Sequence, residues 1–554
     1  MKLEALDKLE KIRKAQLQRD LPYRKIWKEV SDWIDPTYGK MEIDSPPLAG
    51  TPENKIYDYT IGSYSNIFAM GLQGYCCSSQ SAFFELLPEN REISDEDARI
   101  KKVLQKRSRA IYRALRQSNF YSCNYSFLKS FGDLSTGIMF FSLSPEGRIS
   151  FESVPIYQCI PIWNKVEGKV DTIFRSHWLT RYEAEQLWGY DNLPSCMKGD
   201  NVDESKLWKF WELLCPRDRF SFDLGIENGW KYLDIVYAEA DPTRTVFEGG
   251  SDRQRFTVCT FNKIDDGTGW GVGAPGTRQF VTSHDIQSMT RDQRNSSRYM
   301  ANPAVMKTEN LPVKIAPASL IDMPAGASIA PLQLGQDLSW TNLSIQTAKL
   351  QAKSDYFVDY FLMLSQYSGN VNTATLAQGL QNEQVIMMTS FLDSLATRFF
   401  EPVIEWMWNT MGTLGYFDDG ESISWKDLRV DYVSALYKLQ KQAFSLEPTS
   451  KALNVLLPML QLDQSLINYI DFSALVEVVA DSTSADRRII RDKKEARQMI
   501  EAQAQQQAME VQRQQDIQQQ DADTRRYVAE SSAPEQGSPA AEAKNDKYRN
   551  LKLK

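Results

Sequence analysis

Histidine is almost missing from this 554-residue chain, which holds only His177 and His284. Histidine is the usual general base and the commonest transition-metal ligand, so its scarcity argues against most hydrolytic and metal chemistry. HExxH, GxSxG and GxxxxGK[ST] are missing too, which removes the zinc-protease, serine-hydrolase and phosphate-loop readings. His177 lies in Phe174-Arg-Ser-His-Trp-Leu-Thr180, a strand end, and His284 follows Ser283 at a helix start. Both read as structural. No catalytic residue, metal ligand or cofactor is expected, and the chain does not read as an enzyme. The seven cysteines, Cys76, Cys77, Cys123, Cys159, Cys196, Cys215 and Cys259, are odd in number and form no CxxC. They read as reduced thiols of a protein made in a cytosol. No run of 18 apolar residues exists, so no membrane span is expected. Met1-Lys2-Leu3-Glu4 opens a charged amphipathic helix rather than a signal peptide. An excess of positive charge is lacking as well: 64 Lys and Arg face 72 Asp and Glu, a net charge of −8. That excludes a protein that simply coats nucleic acid, but not one past which DNA must slide.

What is present is enough for several cores, since 42% of the residues are apolar and 11% aromatic. Helical spacing runs through Leu3, Leu6, Leu9 and Ile12 and again through Ile26, Trp27, Val30, Trp33 and Ile34, ending at Asp35-Pro36. Residues 53–87 read as one long helix, 94–118 as another opened by Ser94-Asp-Glu-Asp, and 120–142 as a third. From Gly147 the period changes to two. Residues 148–154 alternate, 164–175 read as a hairpin, Thr180–Trp188 as a short helix, and 206–264 as further strands. A helical layer joined to an antiparallel sheet follows, an α+β fold with mostly α structure.

Gly271-Val-Gly273-Ala-Pro-Gly276 matches GxGxxG literally. A dinucleotide fingerprint needs a strand before it, an apolar helix after it and an acid about 20 residues on. Here Pro275 sits inside the motif and residues 291–298 are basic and amide-rich apart from Asp292, so the glycines read as a turn.

The stretch from His284 to Gln384 is the most informative. Helical spans 284–301 and 337–366 flank a Pro-rich insert, then come the loop Ser368-Gly369-Asn370-Val371-Asn372 and a new helix opening at Thr373-Ala374-Thr375. Neither span carries enough large apolar residues to bury itself, so each needs neighbours from other chains or another reason to be ordered. Arg291, Arg294 and Arg298 share one helix face, and so do Lys349 and Lys353; residues 99–116 carry eight basic residues and no acid. Each set reads either as a solvated face or as a phosphate contact, and the arginine face equally as intersubunit ion pairs. In the insert, Pro303, Pro312, Pro317, Pro324 and Pro331 break helices, while 311–315 and 328–332 read as edge strands. A long apolar helix follows Thr373 and restarts at Pro402; more helices continue to about Ala480, among them Tyr432–Phe444. Residues 485–528 are Gln-rich, with ten Gln between 501 and 520, and Ser531–Lys554 has a disordered composition.

Tyr57-Asp58, Phe83-Phe84-Glu85-Leu86, Ser118-Asn119-Phe120-Tyr121, Gly132-Asp133-Leu134-Ser135-Thr136-Gly137, and Asn164, Gly168, Val170-Asp171, Arg175 and Leu179-Thr180 follow one another in an order that resembles the portal proteins of short-tailed bacteriophages, the head-to-tail connector family. The resemblance covers roughly residues 20–415. Two departures lie at Gly271–Gly276, in place of the family's Gly-Arg-Gly-Pro-like turn, and at Leu376, where the family has an acid. The resemblance implies a wing (1–283), a first stem helix (284–301), a clip (302–336), a second stem helix (337–366), a tunnel loop (367–373), a crown (374–480), a Gln-rich helix able to form a barrel (481–530) and a tail (531–554). It implies a homo-oligomeric ring of about twelve copies at one capsid vertex of the virion, assembled in the host cytoplasm. Double-stranded DNA would be packaged and ejected through it without sequence preference. Terminase large subunit, capsid and scaffolding proteins and a tail adaptor would be partners. Lys349, Lys353, Arg291, Arg294 and Arg298 would be DNA-channel candidates, with Ser368–Asn372 as the tunnel loop. A virion scaffold or adaptor that never touches DNA remains the alternative.

Overall fold

The computed structural model describes residues 2–46, 56–89, 95–144, 146–198, 203–220, 222, 229–263, 267–301, 305–307, 329–331, 338–366, 387–417, 420–421, 423–437 and scattered positions between 506 and 525. The chain divides into two units, Met1–Phe444 and Ser445–Lys554. Within the second, the described positions are helical and exposed.

The first unit opens with helix α1 (Lys2–Trp33). Asp35 then stops the helix: its side chain accepts from the Thr37 amide at 3.0 Å, and Pro36 starts a single 3-10 turn. Helix α2 (Thr60–Cys76) follows. The expected helix over 53–87 ends at Cys76, and Phe84–Pro88 forms strand β1 instead. Its partner is a distant strand, Leu428–Tyr432, in antiparallel register with Phe84 opposite Tyr432. Helices α3 (Asp95–Gln117) and α4 (Phe120–Leu134) come next. The helix expected over 120–142 also stops early. Ser135 adopts a left-handed conformation (φ 60°) and turns the chain into β2 (Thr136–Leu143).

Two antiparallel sheets carry the strand-rich half. In the smaller, β2 lies between β3 (Ile149–Ser153) and β9 (Phe256–Thr260). The larger has the order β4 (Cys159–Asn164), β5 (Lys169–Leu179), β6 (Trp208–Pro216), β7 (Tyr232–Ala238), β8 (Asp241–Ser251). Successive residues of β6 point to opposite faces. Trp211 packs with Leu6 and Leu9 of α1, while Phe210 packs with Ala184 of α5 (Arg181–Trp188) and with Leu193 and Met197. Thr180 opens α5 with a complete capping box to Glu183.

The main core joins α2, α4, the smaller sheet and a late helical segment through Phe68, Phe127, Phe131, Phe261, Phe391 and Phe399, with Phe127 and Phe399 stacked at 3.9 Å. That late segment runs helically over 387–395, passes through a π turn at Ala396–Phe400 and continues as Glu401–Thr413. The π turn has a local cause. Pro402 has no amide to give the Arg398 carbonyl, and the Thr257 hydroxyl donates to that carbonyl instead. The cysteines are all free; five are buried, Cys123 is half-buried and Cys196 is exposed. Among the described residues no helix is long and apolar enough to cross a membrane.

Candidate functional site

The polar helices read from the sequence form an antiparallel pair. Helix α6 spans Pro275–Ala301 and helix α7 Leu338–Asp355. Gln293 donates to Asn342 at 2.6 Å, and Gln279 to Asp355 at the other end, which fixes their opposite directions. Both limits differ from the sequence reading. Helix α6 begins at Pro275 rather than His284, because Pro275 suits a first helical turn. The second span is broken: Phe357 takes φ 52° and α8 (Val358–Gln366) starts anew. Beyond Ala301, Val305–Lys307 pairs with Ile329–Pro331 as a two-stranded ribbon. The expected tunnel-loop residues Ser368, Gly369, Asn370, Val371 and Asn372 lie outside the described residues, as do the expected strand 311–315 and the whole of residues 438–505.

The glycine-rich turn seats the first helix. Gly276 lies so close to the end of α4 that a Cβ there would stand 2.3 Å from the Asp133 carbonyl oxygen, and one on Gly271 would stand 2.1 Å from that of Ser135. Gly273 takes φ 76°. These glycines therefore serve close backbone packing and a left-handed turn. Further along α6, Ser283 donates to the Trp33 carbonyl at 2.6 Å, and the His284 ring sits edge-on to Trp33 at 4.4 Å. His177 meets Glu212 across β5 and β6 at 2.7 Å.

The pair Tyr57-Asp58 proves to be the seat of both helices. The Gln287 carbonyl oxygen accepts from the Tyr57 and Asp58 amides at 2.6 and 2.9 Å, and its amide donates to the Asp58 carbonyl at 2.6 Å. Arg294 donates to the Tyr57 carbonyl at 2.9 Å, with its guanidinium 5.6 Å from the Tyr57 ring centre. From α7, Lys349 pairs with the Asp58 carboxylate, whose other oxygen accepts from the Thr60 amide. Burial pushes the Asp58 carboxyl up, but the bonds from Lys349 and Thr60 hold it below its usual value.

A second anchor holds the far end of α7. Tyr356 donates to one oxygen of Asp133 at 2.9 Å; Tyr38 and Ser65 donate to the other at 2.9 and 2.7 Å. Asp133 is fully buried, and burial raises its carboxyl despite Ser65, Lys129, Tyr38 and Tyr356. Lys129 pairs with the buried Asp35 beside it. Sequence reasoning had Asp133 within a motif but not this role; three hydroxyl donors from three distant segments leave no local signal.

The sequence-selected cations are thus unequal. Lys349 is engaged by Asp58, Lys353 by Asp359 at 2.5 Å, and Arg294 by Tyr57. Arg291 is exposed beside Asp292 at 3.1 Å. Arg298 is exposed and has no partner among the described residues. On α7, the residues facing outward include Trp340, Leu343 and Leu350, which are 69%, 59% and 64% exposed, whereas Ile345 and Ala352 are buried.

Residues 6–490 match the family described as "Bacteriophage head to tail connecting protein". The chain belongs to this family. A probable portal protein of Bordetella phage BPP-1 is 23% identical over 430 residues, covering 75% of this chain and 76% of its own. The portal protein of Salmonella phage epsilon15 is 20% identical over 513 residues, covering 89% and 90%. An HK97-family phage portal protein of Corynebacterium diphtheriae, known from its crystal structure, matches with 8% identity and a TM-score of 0.26, over 69% of this chain and 94% of that one. As a head-to-tail connector of portal type, the chain is a virion component of the capsid vertex.

Proposed function

We propose that copies of this chain close into a ring of about twelve, with α6 and α7 as the stem around a channel for double-stranded DNA. One observation carries the reading. Helix α7 buries only a narrow strip inward and leaves a tryptophan and two leucines outward, and a neighbouring copy is the natural cover for them. The seats at Tyr57-Asp58 and Asp133 support it from the other side, since they hold both stem helices rigidly against the rest of their own subunit.

In this reading Lys349, Lys353 and Arg294 fix the stem, while Arg298 and Arg291 face the duplex. A few cations per copy, repeated around an axis, attract phosphates without reading bases. They stay sparse, so a moving duplex is not held fast. The tunnel loop Ser368–Asn372 contacts DNA sterically and by hydrogen bonds. The Pro-rich clip pairs with neighbouring copies and presents the docking surface for the terminase motor, then for the tail adaptor. The Gln-rich helix lines up with its counterparts in the ring.

The test is Leu343→Glu with Leu350→Glu in the full chain. A folded protein that no longer forms rings supports the reading; intact rings would remove this face from the assembly. An adaptor without DNA contact predicts instead that Arg298→Glu with Arg291→Glu leaves packaging unchanged.

A further inference from the structure

Helix α3 carries the densest positive charge of the chain. Eight of the 64 Lys and Arg, and none of the 72 Asp and Glu, fall within residues 99–116. The structure sorts them. Arg107 turns inward, its guanidinium 5.0 Å from the Trp408 ring centre and 4.9 Å from that of Phe417, where it is part of the packing. Leu104, Ile111 and Leu115 are buried on the same side. Lys102, Lys106, Arg109, Arg113 and Arg116 are all exposed and follow one another by four, three, four and three residues. That spacing places all five in one stripe along the helix, about 21 Å long at 1.5 Å per residue. Arg116 donates to the Ser79 carbonyl at 2.7 Å. Lys102, Lys106, Arg109 and Arg113 have no partner among the described residues.

We propose that this stripe is a seat for the sugar-phosphate backbone of double-stranded DNA, distinct from the stem helices. Charge complementarity picks the occupant. A surface so uniformly cationic, in a chain that is acidic as a whole, is matched by a polyanion. Among the described residues of α3 none is an exposed large hydrophobic, so the face lacks the apolar anchor on which a protein interface depends. Three of the five cations are arginines, whose planar fork grips phosphate oxygens in pairs. A stripe of about 21 Å runs beside roughly twelve duplex charges at one per 1.7 Å of axis, more than enough to engage every cation. Such binding is independent of sequence and sensitive to salt.

The inference rests on the chain being a DNA-handling connector, but its test is separable from the channel. A covalently closed circular duplex has no end to thread into a closed ring, so it reports on outer surfaces alone. Binding of the assembled full-length protein to relaxed circular DNA is measured across a salt series. The comparison is with the variant carrying Lys102→Gln, Lys106→Gln, Arg109→Gln and Arg113→Gln, all on exposed positions. The wild-type protein should bind, and the slope of log K against log salt should become shallower in the variant by about 0.9 for each phosphate it no longer neutralises, up to about 3.6. Equal slopes and affinities for both proteins would overturn the proposal. Loss of ring assembly in the variant would overturn it too, by assigning the stripe to an acidic surface of a neighbouring copy. Arg298→Gln should leave circular-DNA binding as it is, whatever it does to packaging.

Discussion

Removing a single hydroxyl, in Tyr356→Phe, tests the anchoring of α7 most sharply, because the two oxygens of Asp133 are served unequally. Among the described residues, one accepts from Tyr356 alone; the other accepts from both Tyr38 and Ser65. In Tyr356→Phe a fully buried carboxylate oxygen loses its one donor among the described residues, a change of about 2–3 kcal/mol for a charged acceptor. In Tyr38→Phe or Ser65→Ala the affected oxygen keeps the other donor, and the loss is about 1 kcal/mol. At 1.36 kcal/mol per decade, Tyr356→Phe should raise the opening constant of the surrounding amides about 30- to 160-fold, and the other two about fivefold. Native-state hydrogen exchange over α4 and α8 reads this without requiring the whole chain to unfold in one step. The pH dependence adds a check. A carboxyl raised in the folded state binds its proton more tightly there. Its contribution to stability is therefore greatest at low pH, declines as pH rises from the unfolded value through the folded one, and is flat beyond. The Tyr356→Phe deficit should be largest on that upper plateau and shrink on acidification. Equal effects from all three substitutions, or a larger one from Ser65→Ala, would refute the assignment of donors and with it the anchor.

Other outcomes follow from the same geometry. Gly276→Ala drives a methyl into the Asp133 backbone, so helix α6 should lift from α4 and the protein melt several degrees lower; an unchanged midpoint would contradict the packing. The Asp58 carboxyl is held low, so its contribution is complete above the ordinary carboxylate value and disappears as pH falls through its lowered one. Exchange protection at the start of α2 and around Gln287 should fall in that acid window, and Asp58→Asn should abolish the dependence. Lys349→Glu sets two carboxylates together and should weaken the seat of α7 on Tyr57-Asp58, whereas in the proposed reading Arg298→Glu leaves folding intact and lowers DNA packaging or retention in a plating assay.

Elements set by local pattern were readable from the sequence. The short helix over Thr180–Trp188, the hairpin from Asn164 to Arg175 and the polar helical spans before and after the Pro-rich insert all lie in the sequence near where the structure has them. Elements that depend on distant partners were not. Phe84–Leu87 reads as the tail of a helix until Leu428–Tyr432 pairs with it, and the same pairing makes Tyr432 a strand residue rather than a helix start. Ile138–Phe141 continues the apolar run of α4, and only the left-handed Ser135 separates them. At the site, the cations could be found by spacing, but their partners could not. Asp58 is far from Lys349 in sequence, so a lysine that looked available to DNA is held in an ion pair.

Everything proposed for the stem depends on many copies standing side by side. Electron microscopy of the purified full-length protein at micromolar concentration addresses that directly. The account predicts closed annular particles with an open centre, lost when Leu343 and Leu350 are both replaced by glutamate. Compact single copies of the wild-type chain, with Trp340, Leu343 and Leu350 still open to solvent, would contradict it.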